Sequence, residues 1–346
     1  MQELKERNTT IDLVKTVGVI GVIFIHVVSR IFGANPVGSF EWNVGLFWES
    51  IFRASVPLFL MASGAIMIDS SKELSLKKLY LHNIARIIVA MIVWGLAYKI
   101  YHLIMTSQFT LNNVWYSFKR LLLFDQEFHF YYIHIILIVY AFLPITRIFV
   151  KNSGEKELRY ALGLWFALAI ALPTLKVFWP FNLLSGLTGQ WFINMTYASI
   201  GYGILGYYLK KYPLSLKYGI LFTVVGFSAV FAGTYFSSRS AGYLNEHFME
   251  GMSLGVCAMA VGIYTLVSHI KLCGVLQRVV TFVSKGSFCI YLSHIFVLYG
   301  FDMFGVSATG FTAIVSVPLI SFAILAICIV LYLILSKIPV LKNWIV

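Results

Sequence analysis

Ten stretches of about 20 mostly apolar residues, each closed by charge, Gly, Pro or Asn, dominate this sequence. A helix needs about 20 apolar residues to cross a bilayer, because backbone polar groups there must be satisfied within the segment. The stretches lie near 11–31, 47–68, 83–105, 129–149, 159–178, 194–210, 214–236, 250–270, 280–300 and 314–335. They predict an all-α integral membrane protein, a bundle of about ten transmembrane helices forming one domain over 1–346 in a lipid bilayer. Composition agrees: 60% of residues are hydrophobic and 12% charged, against about 25% charged in a soluble domain. A soluble enzyme is excluded, and so are a disordered chain and a nucleic-acid-binding protein.

Lys and Arg placement orients the bundle. With a cytoplasmic N-terminus, Lys5, Arg7 and Lys15 lie inside, as do Lys72, Lys77, Lys78 and Arg86 after the second span. Arg147, Lys151, Lys156 and Arg159 follow the fourth span, and Lys210, Lys211 and Lys217 the sixth. Lys271, Arg278 and Lys285 follow the eighth, and Lys337 and Lys342 sit near the C-terminus. Nineteen of the 26 basic residues then face the cytoplasm, which predicts both termini inside. The net charge of +12 follows from this asymmetry and needs no acidic partner.

The N-terminal apolar stretch is broken by Asp12 and Lys15 and lacks a small-residue cleavage site, so the first span is expected to stay in the protein. Cys257, Cys273, Cys289 and Cys328 lie in or beside apolar segments with no C-x-x-C pair, which reads as packing, and no metal is expected. The longest outer segments are 32–46, 106–128 and 237–249. In the second, Leu111, Val114, Trp115, Phe118, Leu121 and Leu122 recur at helical spacing opposite Lys119 and Arg120. That pattern fits a short helix on the outer surface, or a partly buried loop. Trp42, Trp48, Trp115, Trp179 and Trp191 read mostly as an interfacial belt.

Ionisable groups at membrane depth are costly and mark sites or pathways. The first span holds Asp12, Lys15 and His26. At 100° per residue, Lys15 to His26 is about 20° past three turns, and Asp12 to His26 about 40° short of four. All three share one face, with Lys15 and His26 about 16 Å apart in depth. That suits a long ligand threaded through the protein. The plain alternative is an interfacial Asp/Lys pair and a hydrogen-bonded core histidine.

Arg53, His129 and His294 fall at the same outer level as His26, and Glu49 precedes Arg53 by four residues, a favourable ion-pair spacing. Imidazoles beside a guanidinium offer a general base and an oxyanion stabiliser. His129 and His294 serve equally well as helix-packing donors, and His102 and His134 read as packing alone. Pro57 should kink the second span near Arg53, and Ser63 and Gly64 allow a helix or a ligand to approach the backbone.

At these residues the chain resembles the bacterial membrane acyltransferases of acyltransferase family 3. Lys15 followed by His26 resembles the family's Arg-x10-His motif, and Arg53 through Pro57-Leu58-Phe59 to Ser63-Gly64 resembles its Pro-kinked second span. His129 with Tyr140 and Pro144 is similar to the fourth span, and Gly286-Ser287-Phe288, Ile290-Tyr291 and His294 to the ninth. Lys15 replaces the more usual Arg, turning a bidentate phosphate contact into a point charge, and Tyr131 stands where many members have Trp.

The resemblance implies O-acyl transfer in a bacterial cell membrane, from cytoplasmic acyl-CoA, acetyl-CoA above all, to a hydroxyl of an envelope glycan or glycolipid. Lys15, Arg86 and Ser63 would hold the donor. His26 would act as general base and Arg53 as oxyanion stabiliser, with His129, His294 and Glu49 on the acceptor side. Two other classes stay open: a transporter moving a glycan or small polar solute along a buried His/Arg pathway, and an assembly subunit in which the polar groups only knit helices. No motif reads out the acceptor, the acyl-chain length or the oligomeric state.

Overall fold

Apolar periodicity does produce helices throughout, and the computed structural model describes residues 8–69, 73–184 and 193–346 without a strand among them. Lys5, Arg7, Lys72 and Trp191 lie outside the described residues. The helices are α1 (Thr9–Ala34), α2 (Phe40–Phe52), α3 (Ser55–Met67), α4 (Leu76–Met105), α5 (Leu111–Leu122), α6 (Tyr131–Ala141) and α7 (Leu143–Lys151). They continue with α8 (Glu155–Leu175), α9 (Met195–Lys211), α10 (Leu216–Ala241), α11 (Leu254–Ser268), α12 (Gly274–Met303), α13 (Ala313–Leu335) and α14 (Pro339–Trp344). Among the described residues, eight segments are long and apolar enough to span a membrane, and α6–α7, bent by 49°, makes a ninth. The remaining expected span is α9, whose 17 residues reach about 26 Å, short of the roughly 30 Å hydrocarbon core.

Two sequence expectations are corrected in detail, and the kink expected from Pro57 near Arg53 is found there. The second span begins at Phe40 rather than 47, because Ser39 caps α2 through a 3.3 Å bond from the Trp42 N–H and carries the helix through the polar Glu41 and Asn43. The break within this span falls at Arg53-Ala54, upstream of Pro57. The Pro57 ring excludes the carbonyl four residues earlier, which is that of Arg53, so the helix restarts at Ser55. Trp42 is fully buried, 5.6 Å from the Phe32 ring, and does not belong to the belt; Trp115 and Trp179 are exposed. Segment 106–128 does hold a helix, α5. Arg120 and Lys99 bind Asp125 at its end and hold that carboxyl below the usual carboxylate range.

Helix α1 is the hub, packed by α2, α3, α12 and α13. Helix pairs approach where small residues remove side-chain bulk, since lipid offers no hydrophobic drive for association. A Cβ on Gly64 of α3 would strike the Gly203 backbone of α9, and one on Gly206 would strike that of Met61. Apolar residues on α10 and α13, among them Val224, Leu319 and Phe322, face outward, as expected for surfaces solvated by lipid.

Polar ties fix the register. Thr16 donates to the Val280 carbonyl at 3.1 Å, and Ser284 to Asp12 at 2.7 Å. The Tyr98 hydroxyl donates to Leu292 O at 2.8 Å and accepts from Phe296 N at 3.0 Å, entering the backbone ladder of α12 on either side of His294.

Candidate active site

The break in the second span sets the first half of the site. Arg53 caps α2, and its guanidinium donates to Glu49 Oε1 at 2.6 Å and through Nε to the Met249 carbonyl. Glu49, 3% exposed, has its second oxygen buried without a partner. A charge pair this buried holds its position because either partner left alone would be strongly destabilising.

Beside it stands a cluster of three histidines. His26 of α1 lies 5.1 Å, ring to ring, from His294 of α12 and 6.3 Å from His129, and His129 and His294 are 5.3 Å apart. His129 occupies the 3-10 turn Phe128–Phe130 that opens α6, and its carbonyl accepts from the Tyr291 hydroxyl. His294 Nδ1 lies 2.6 Å from the Tyr291 carbonyl. A carbonyl only accepts, so Nδ1 carries the proton and Nε2, buried without a partner, is left as an acceptor.

His26, Arg53, Glu49, His129 and Tyr131 line one cavity of about 720 Å³. Its far wall is the segment before α11, with Glu246, Met249 and Glu250.

A second cavity, of about 380 Å³, lies toward the opposite end of α1. Lys15, Ser63 and Arg86 line it, with His82, Asn83 and Lys285. Arg86 donates to the Val346 carbonyl, lies 5.7 Å from the Phe288 ring centroid, and has its Nε buried without a partner. Tyr291 lines both cavities. Its ring is 5.3 Å from Tyr132, which is 5.8 Å from Phe59, so an aromatic wall divides the two chambers.

The eight residues singled out in the sequence therefore fall into two groups about one helix. Seven line the cavities; His294 stands behind His26 and lines neither. Asp12 does not join the face of Lys15 and His26 as a site residue, because Ser284 and Thr281 bind its carboxylate and tie α1 to α12. His102 pairs with Glu127 at 2.8 Å, away from the cluster. Sequence reasoning missed Lys285 and the role of Tyr291 as a shared wall. Ser284, Ser287, Phe288 and Tyr291 recur at i, i+3, i+4 and i+7, a helix-face signal that was available. Glu246 and Glu250 were also missed, and a short irregular segment offers no periodicity to find them by.

The arrangement provides a cation-lined chamber, an imidazole cluster of which His26 and His129 face the outer cavity, and a fixed guanidinium. Such groups can bind an anionic ligand, take a proton from a hydroxyl and steady an oxyanion. No curated protein and no solved structure gives a match to the chain. The family comparison does: residues 8–333 match the family described as "Acyltransferase domain". With nearly its whole length covered, this multi-pass helical membrane protein belongs to acyltransferase family 3.

Proposed function

We propose that this acyltransferase moves an acetyl group from cytoplasmic acetyl-CoA to a hydroxyl of a cell-envelope glycan or glycolipid, in the cytoplasmic membrane of a bacterium. In size and layout the chain resembles the stand-alone enzymes that acetylate envelope glycans such as enterobacterial common antigen. The observation that carries the reading is the pair of chambers stacked along α1, one around Lys15 and Arg86 and the other around His26, meeting at Tyr291.

In this reading Lys15, Arg86 and Lys285 attract the phosphates of the donor, and Ser63 lines the path of its arm. The thioester reaches His26 past Tyr291. His26 takes the proton of the acceptor hydroxyl as its oxygen attacks the thioester carbonyl. Arg53, held in place by Glu49 and Met249, stabilises the tetrahedral oxyanion. Collapse breaks the carbon–sulfur bond, the ester forms, and the proton on His26 passes to the departing thiolate. His129 and His294 fix the orientation of His26 and the acceptor.

The test is calorimetry of acetyl-CoA with detergent-purified protein, with Lys15→Ala as the comparison. Micromolar binding that weakens about tenfold in the variant is expected, as for loss of one phosphate-facing charge. No binding by demonstrably folded protein would overturn the reading and favour transport.

A further inference from the structure

The outer cavity carries a charge pattern that bears on which acceptor it takes. Among the described residues its one guanidinium, Arg53, is already answered by Glu49 at 2.6 Å and by the Met249 carbonyl. Two further carboxylates, Glu246 and Glu250, line the same cavity, and neither joins an ion pair among the described residues. The wall therefore has a surplus of negative charge. Its buried, unsatisfied oxygen, Glu49 Oε2, is also an acceptor. Groups of this kind seek hydrogen-bond donors and repel anions. Between them, Phe32, Phe128 and Tyr131 supply apolar ring surface, and the volume of about 720 Å³ admits one or two sugar rings.

We infer that the outer cavity receives a hydroxyl-rich sugar carrying no negative charge, neutral or amino-bearing, and that Glu246 and Glu250 exclude uronate- and phosphate-bearing sugars. The inference rests on the acyl-transfer reading only in treating the bound sugar as the acceptor. Vicinal hydroxyls donate to the carboxylates, an ammonium group pairs with them, and a carboxylate or phosphate brought to the same wall meets like charge. Specificity then comes from a repulsive element as well as from the attractive contacts.

The experiment measures binding of four matched probes to the full-length protein in nanodiscs by calorimetry: methyl glucoside, methyl glucosaminide, methyl glucuronide and methyl glucoside 6-phosphate. Transfer is followed separately, as thiol released from acetyl-CoA. The neutral and amino sugars should bind at least tenfold more tightly than the two anionic ones. In the Glu246→Gln/Glu250→Gln double variant the gap should shrink to about threefold or less. Both positions are exposed, so the variant should fold. Anionic probes that bind as well as the others, a gap unchanged in the double variant, or no binding by any of the four would each overturn the inference. Binding with the expected preference but no thiol release on any probe would count against acyl transfer and leave the charge selection standing.

Discussion

His26 is the residue on which the proposed chemistry turns. Its neighbours His129 and His294 lie 6.3 and 5.1 Å away, ring to ring, and no salt bridge among the described residues includes it. His26→Ala should therefore lower the transfer rate by about 10²–10⁴, the range of a lost general base. It should also elute from size exclusion as a single sharp species like the parent. A variant that retains more than a tenth of the activity would remove His26 from the mechanism, and one that aggregates would make its role structural. Arg53→Lys is the companion test. A lysine keeps the charge but cannot reach both the Glu49 carboxylate and the Met249 carbonyl with a planar fork. A fall in kcat of about 10² with little change in donor binding is expected for a displaced oxyanion stabiliser. An unchanged kcat would show that only the charge matters.

At the scale of elements, the site depends on how closely α3 and α9 approach. Gly64 faces the Gly203 backbone with no room for a Cβ, and Gly206 does the same to Met61. Gly64→Leu should lower the melting temperature in detergent, corresponding to at least about 1–3 kcal/mol of overpacking. Gly33→Ala, in α1 with nothing within 4 Å of its Cβ position, should leave it unchanged or slightly raised. Equal effects at the two positions would mean that the α3–α9 contact does not limit stability. The sequence placed Ser63-Gly64 as a point of close approach but could not say which helix arrives there. That partner is α9, a segment of only 17 residues that packs against α3.

At the scale of the whole molecule, the bias of Lys and Arg predicts that the proposed donor chamber faces the cytoplasm. Cys273 tests this without any engineering, since it is exposed at the start of α12 while the other three cysteines are buried. A membrane-impermeant maleimide should label Cys273 in inside-out vesicles and not in intact cells. Labelling from outside would invert the bundle and exchange the sides assigned to donor and acceptor.

Much of this architecture is one-dimensional information. Apolar run length and helical spacing along the chain are enough for the helical class, for most of the spans, and for the shared face of Lys15 and His26. These properties depend on transfer from water to lipid and on a fixed 100° turn, both local. The family resemblance at Lys15, His26, Arg53 and His294 was legible for the same reason. What needed the tertiary structure was every relation between helices. The loss of Asp12 to α12, the anchoring of Arg53 on Met249, the aromatic wall through Tyr291, and the arrival of Glu246 and Glu250 opposite His26 are examples. Each depends on which helix faces which and at what rotation. Packing of small residues and single hydrogen bonds decides that, and neither leaves a period in the sequence.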